Sequence, residues 1–305
     1  MEGYCRVLNT DLQVECFVDG VLKIHDTTEK REAINIITAA ERNMKDYNKL
    51  STYLHQDNRD FEYRDEKIRK GLRKIILEEL INLERLDNDD EIKLGKGGAK
   101  PKTELKCDKK AFYIIGPPAS GKSTIANKIA DKFGAYILDS DYVKRKLPEY
   151  KNQIGSASLV HEESDAIISR GKDLNLLDHC VKNGYNITIP KIGHRIDGIC
   201  NYCEAINNAG YEVFIISVDL DRVKATQRAY YRFKETQRYI PLALVFDGYG
   251  NQPTLNYFKL RQNKLPFLKG YAQISTDVEK GELPILLEEE NLYELVNLFG
   301  GDING

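Results

Sequence analysis

The chain has 305 residues, 45 Lys+Arg against 47 Asp+Glu and 41 % hydrophobic content. That balance allows a packed core and excludes a disordered, collagenous or strongly basic protein. Six cysteines are too few for a disulfide scaffold, and Cys200-Asn201-Tyr202-Cys203 stands without a second pair or a histidine cluster, so its thiols read as packing residues. The first residues lack the apolar run of a signal peptide, and no apolar stretch is long enough to span a bilayer, which predicts a soluble, cytoplasmic protein without membrane partners. The charge is unevenly divided. Residues 1–95 hold 16 basic and 21 acidic residues, a net of −5, leaving 29 and 26, a net of +3, for the rest.

Along the chain, Cys5 to His25 alternates apolar and polar residues around Asn9-Thr10-Asp11 and Asp19-Gly20, which predicts one or two short β-hairpins. From Asp26 the spacing of Ala33, Ile37, Ala40, Met44, Tyr47 and Leu54 is helical, apart from Ser51, with Asp26 and Glu29 as a capping box. A second helix is predicted from about Phe61 to Leu86, with Ile68, Leu72, Ile75, Ile76, Leu80 and Leu83 on one side. The charged and glycine-rich stretch from Asn88 to Pro101 reads as an exposed linker. The organisation expected is therefore a mainly helical region over 1–94, a linker over 95–104 and a larger domain over 105–305.

Beyond the linker, apolar runs at 111–115, 135–138, 186–189 and 212–218 alternate with helical segments near 121–133, 158–183, 196–208 and 222–235. This predicts an α/β fold, a mostly parallel sheet with helices on both faces, whose ligands lie at the carboxyl ends of the strands. The strongest motif falls there. Gly116-Pro117-Pro118-Ala119-Ser120-Gly121-Lys122-Ser123, followed by Thr124, fits G-x-x-x-x-G-K-[ST] between a strand and a helix. Its backbone N–H groups would surround phosphates, Lys122 would reach the β- and γ-phosphates, and the Ser123 hydroxyl would ligate Mg²⁺.

Such a cradle defines a nucleotide site and leaves the reaction open. No Asn-Lys-x-Asp is present to read guanine. Asp139 and Asp141, just past the second predicted strand, could orient or deprotonate an acceptor hydroxyl, with one of them free to cap the next helix instead. Arg222, Arg228, Arg232 and Arg238 follow the fourth strand and could stabilise a transferring phosphoryl group. The alternatives are a nucleic-acid 5′-hydroxyl or nucleotide kinase, disfavoured by the weak net charge, and a non-enzymatic ATP switch.

With Gly-Pro-Pro-Ala-Ser-Gly-Lys-Ser-Thr (116–124), Leu-Asp-Ser-Asp (138–141), Leu-Pro-Glu-Tyr (147–150), Val-His-Glu-Glu-Ser (160–164) and Arg-Tyr-Ile-Pro (238–241), the chain resembles the zeta toxin family of P-loop kinases over about residues 105–265. The resemblance implies an ATP- and Mg²⁺-dependent kinase acting on UDP-N-acetylglucosamine or a related UDP-sugar, typically a toxin restrained by a helical antitoxin. It assigns Asp141 as catalytic base, Lys122 and Ser123 to phosphate and Mg²⁺, and Arg232 and Arg238 as lid arginines. Glu163, or its neighbour Glu162, would face the acceptor together with Asp139. The chain departs from the family at Ile189-Pro190-Lys191-Ile192-Gly193-His194, where an acidic residue followed by Gly-Thr-Gly is usual. Lys191 there suggests an anionic acceptor, unless it is an exposed loop lysine. The acidic N-terminal region is then either a built-in antitoxin folded over the site or a packing extension.

Overall fold

The computed structural model describes residues 5–47, 50–151, 154–279 and 281–300, with no side-chain description for 45–47. Its centre is a six-stranded sheet in the order β2-β3-β1-β4-β5-β6. The strands are β1 Lys110–Ile115, β2 Tyr136–Ile137, β3 Ile187–Lys191, β4 Glu212–Asp219, β5 Leu268–Ser275 and β6 Ile285–Glu290. All pairings are parallel except β5 with β6. Alternation along β1 divides the core between the two faces. Phe112 and Ile114 pack with Ile125, Ile129 and Phe133 of α4 (Lys122–Phe133) and with Ala272 and Ile274. Ala111, Tyr113 and Ile115 face the opposite side. There they join α8 (Leu176–Asn183), α9 (Ile196–Asn208) and α11 (Gln252–Asn263) through Cys180, Ile199, Cys203, Ile206, Tyr257 and Leu260. The fold is thus the predicted one, a mostly parallel sheet covered on both faces and preceded by a helical region. Cys203 is a buried packing residue of this core, and all six cysteines are free.

The start of the chain departs from the predicted hairpins. Residues 11–22 form α1 (Asp11–Phe17), capped by Thr10 and continued by a π-helical turn (Val18–Leu22). The apparent alternation is overruled because Val14, Phe17, Val18, Val21 and Leu22 form one helical stripe, and all five are buried. Helix α2 (Thr27–Tyr47) starts as predicted, with Asp26 Oδ1 accepting from the N–H groups of Thr28 and Glu29 at 3.0 and 2.8 Å, but it ends at Tyr47 and leaves Leu54 outside it and exposed. The second predicted helix is shorter. It is α3 (Glu66–Asn82), capped by Asp65, with Leu72, Ile76 and Leu80 buried but Ile68 and Ile75 exposed.

The predicted linker is a packed element. Gly98 N–H donates to Glu84 O at 2.9 Å and Ala99 N–H to Leu80 O at 3.0 Å. Ala99 O in turn accepts from Ile137 N–H at 2.9 Å, so the segment lies along the edge strand β2. Glycine is required by close approach: a Cβ at Gly98 would lie 2.1 Å from Leu83 O. The long helix expected over 158–183 is also divided, into α6 (Ser156–Leu159), α7 (His161–Asp165), a π-helical turn (Ala166–Arg170) and α8. Among the described residues, no helix is long and apolar enough to cross a membrane.

Residues 8–44 pack against α10 (Arg222–Thr236) and the segment after it. Phe17, Val21, Ile37 and Ala40 share one apolar cluster with Ala229, Tyr230, Phe233, Tyr239 and Val245. Polar contacts reinforce the join. Tyr239 O–H donates to Glu41, Gln227 Nε2 donates to Leu22 O at 3.1 Å, and Arg6 donates to Asp247 at 2.7 Å.

Candidate active site

The loop Gly116–Gly121 leaves β1 and wraps into the first turn of α4, with Ala119 and Gly121 at φ +61 and +82. Position 116 must be glycine because a Cβ there would meet Val218 O at 2.6 Å. Lys122 Nζ donates to the Gly116 and Pro117 carbonyls at 2.9 and 2.6 Å, folding its ammonium over the mouth of the loop. Burial pushes that ammonium down to about 7, a cost that an anion at the loop would offset. Thr276, after β5, steadies the loop by donating from Oγ1 to Ser120 O at 2.8 Å. Ser120 Oγ is buried without a hydrogen-bond partner among the described residues. A cradle that excludes a Cβ, a desolvated lysine and an unpartnered hydroxyl together suit a nucleotide phosphate. Ser123 and Thr124 are exposed on the first turn of the helix, where Ser123 can take a place around Mg²⁺.

Strand β2 is too short to carry the two aspartates on one face. Asp139 caps α5 (Ser140–Lys144), its Oδ1 accepting from Asp141 N–H at 2.9 Å. Of the two roles left open by the sequence, capping therefore falls to Asp139. Burial and the neighbouring Asp141 carboxylate push Asp139 up to about 6. Asp141 is left without a capping role. It pairs with Arg238, and Lys144 Nζ donates to its Oδ1 at 2.9 Å. Burial opposes its ionisation, yet Arg238, Lys144 and Arg145 prevail and hold it well below the usual carboxylate range. Lys144 is a site residue that motif reading missed, although its i+3 position on the same helix marks it.

The four arginines divide. Arg222 stacks on Phe246, its guanidinium 4.4 Å from the ring centroid, and Arg228 donates to Thr276 O at 2.8 Å, so both serve packing. Arg232 and Arg238 reach the site. Burial, then Arg238, pushes Arg232 down to about 10, and its Nε is buried without a hydrogen-bond partner among the described residues. Gln237, at φ +60, ends α10 and turns the chain so that Arg238 meets Asp141.

Glu163 is elsewhere. The expectation that it faces an acceptor is corrected: its carboxylate is fully buried and taken up by the N-terminal region. Arg69 of α3 donates from Nε and Nη2 at 2.7 and 2.6 Å, Arg73 Nε at 2.7 Å, and Thr52 Oγ1 at 2.5 Å. Burial opposes ionisation, but these donors hold Glu163 down to about 2. Arg69 also grips Glu149 of the Leu-Pro-Glu-Tyr stretch at 2.8 and 2.9 Å. Glu162 is the exposed neighbour and accepts from Ser51 Oγ at 2.5 Å. Arg69, Arg73 and Thr52 carried no sequence signal, because two arginines on a helix of an acidic segment read as solvated charges. Lys191 ends β3 beside the loop: its register partner is Ile115, and Gly116 N–H donates to Ile192 O at 3.1 Å.

A phosphate loop between β1 and α4, a carboxylate past β2 and two arginines from a lid segment define a P-loop kinase-like α/β domain. Residues 98–249, about half of the chain, match the family model described as Zeta toxin, and the chain belongs to that family. A solved structure from the PezAT chromosomal toxin-antitoxin system of Streptococcus pneumoniae is similar in fold, with TM-score 0.51 and 16 % identity over 78 % of this chain and 89 % of that one. An AvrRxo1-ORF1:AvrRxo1-ORF2 complex with ATP is more distant, with TM-score 0.46 and 19 % identity over 82 % of this chain and 76 % of that one, too loose to carry an argument. No curated protein matches the sequence.

Proposed function

We propose that this chain is an ATP- and Mg²⁺-dependent kinase that phosphorylates a hydroxyl of a small acceptor, a nucleotide-sugar such as a UDP-sugar, and acts as a toxin restrained by an antitoxin. The observation that carries the reading is the placing of Asp141, in the first turn of α5 just past β2, with Lys144 and Arg238 on its carboxylate. ATP, when bound, supplies the phosphoryl group. Lys122, Ser120 Oγ and the loop N–H groups hold its phosphates, and Ser123 holds Mg²⁺. Asp141 orients the acceptor hydroxyl and accepts its proton. As paired here the carboxylate is a weak base. Arg238, drawn towards the transferring group, leaves Asp141 with less positive charge beside it and so makes it more basic, while Arg232 supplies an unused Nε–H donor.

Residues 1–94 we assign a bracing role on the kinase. Support comes from their shared apolar cluster with α10 and from Arg69 and Arg73, which bring positive charge from the acidic region onto kinase carboxylates. A built-in antitoxin would need to close the nucleotide loop, whereas Ser123 and Thr124 are exposed. Restraint by a separate antitoxin accords with the pneumococcal neighbour, which comes from a toxin-antitoxin system. The test incubates the protein with ATP, Mg²⁺ and a panel of UDP-sugars, nucleotides, NAD and 5′-hydroxyl oligonucleotides, and identifies the product by mass. A phosphorylated UDP-sugar is expected. A phosphorylated oligonucleotide would shift the reading to a nucleic-acid kinase, and ATP binding without transfer to any acceptor would remove the kinase reading.

A further inference from the structure

Three elements converge at the carboxyl edge of the sheet beside Asp139. Helix α7 ends at Asp165, the following π-helical turn ends at Arg170, and β3 ends at Lys191. Asp165 is the hub, its side chain only 9 % exposed. Lys191 Nζ lies 3.8 Å from Oδ1, Arg170 Nη1 lies 3.4 Å from Oδ2, and His161 Nε2 lies 3.9 Å from Oδ2. These are ion-pair separations. Asp165 Oδ1 has no hydrogen-bond partner among the described residues.

One carboxylate cannot neutralise two full cations, and it does not engage their N–H donors directly. It gathers them. Arg170 and His161 stay open to solvent, with side chains 71 % and 55 % exposed, while Lys191 is half-buried at 26 %. Burial, with Lys144, Lys191 and Arg170 around it, holds the His161 imidazole below its ordinary value, so at neutral pH it is an uncharged N–H donor. Helix α5, which carries Asp141 and Lys144, packs against α7 and the π-helical turn, so this cluster borders the helix of the candidate catalytic carboxylate.

We propose that Lys191, Arg170 and His161, gathered by Asp165, form an anion subsite that takes a phosphoryl or diphosphoryl group carried by the acceptor. The proposal rests on the kinase reading, since the cluster borders α5, the helix that carries Asp141. It makes Lys191 a specificity-determining residue. The acceptor class is then a phosphate ester or diphosphate bearing a free hydroxyl, and an uncharged sugar or nucleoside is a poor substrate. Phosphate oxygens suit this donor set because the guanidinium can bind two of them and the ammonium a third.

The test titrates pyrophosphate, in excess Mg²⁺, into the full chain saturated with a non-hydrolysable ATP analogue. The wild type is expected to take one equivalent. Lys191→Met, which keeps the apolar stem, is expected to weaken binding about tenfold or more, in line with loss of a charge-assisted hydrogen bond, and Arg170→Gln to do likewise. Lys191→Arg is expected to restore most of it. In turnover, Lys191→Met should raise KM for a phosphorylated acceptor with kcat nearly kept, while affinity for the ATP analogue stays within twofold. Pyrophosphate binding within twofold of wild type in both Lys191→Met and Arg170→Gln, or no pyrophosphate binding by the wild type, would overturn the subsite. If the ATP analogue fails to bind, which counts against the kinase reading, the titration is read on the protein alone. Sensitivity to Lys191 then supports the subsite, and sensitivity to Lys122 only overturns it.

Discussion

Replacing Arg69 with methionine tests whether the N-terminal region is integral to the kinase. The Arg69 side chain is fully buried and donates four hydrogen bonds, two to Glu163 and two to Glu149. Methionine fills much of the same volume, so the main loss is electrostatic. Glu163 keeps Arg73 and Thr52, but among the described residues Glu149 keeps only the Asp60 N–H at 2.8 Å. Breaking a buried pair by removing one partner costs about 3–5 kcal/mol, because the other charge is left uncompensated. The pH dependence gives an independent figure. A carboxyl held at about 2 instead of its ordinary 4.5 contributes ~3 kcal/mol at neutral pH. Because the folded value is the lower one, that stability is present above 4.5 and is lost as pH falls through about 2. Urea unfolding of Arg69→Met should show a lower midpoint with an unchanged m-value, and its acid loss should begin at higher pH than in the wild type. A double-mutant cycle with Glu163→Gln should reveal coupling, since the two side chains share one network. A loss under about 1 kcal/mol, together with an unshifted acid profile, would refute the account, because a surface ion pair behaves that way.

Asp141→Asn should lower kcat by about 10²–10⁴ while leaving binding of a non-hydrolysable ATP analogue intact; an unchanged kcat would remove Asp141 from its role. Gly98→Ala should destabilise the fold by about 1–3 kcal/mol through overpacking against the backbone. Denaturant titration showing no loss would mean that the 95–104 segment is loosely held after all. Deletion of residues 1–94 should yield an aggregating or non-cooperative protein, because it uncovers Tyr230, Phe233, Tyr239 and Val245 on the lid side. A folded monomer with a raised transfer rate would replace the brace with an inhibitor.

The kinase half of the fold was legible because each of its signals is local. The first four strands in the chain are short apolar runs, and the loop at 116–123 needs only a strand before it and a helix after it. Lys122, Ser123 and Asp141 follow from position in that motif and the next strand end. What stayed hidden depends on partners far away in sequence. The stretch from Asn88 to Pro101 has the composition of a linker, yet its glycine at 98 is there to let the backbone pass Leu83, and Ala99 extends the sheet beside β2. Likewise β5 and β6 went unread, although β5 places Thr276 under the phosphate loop. The charge division was visible but does not describe the contact: where the acidic region meets Glu163 and Glu149 of the kinase, it presents two arginines. Net charge over a long segment averages away such a contact, because one fully desolvated guanidinium outweighs many solvated carboxylates. The same reasoning separates Glu163 from Asp141. Both are carboxylates within recognisable motifs, but Glu163 is saturated by internal donors, while Asp141 is held by Arg238 and Lys144 and is the less enclosed of the two. An ionised group whose partners can be exchanged for ligand is suited to chemistry; one whose partners are locked in the core is suited to holding two parts of a chain together.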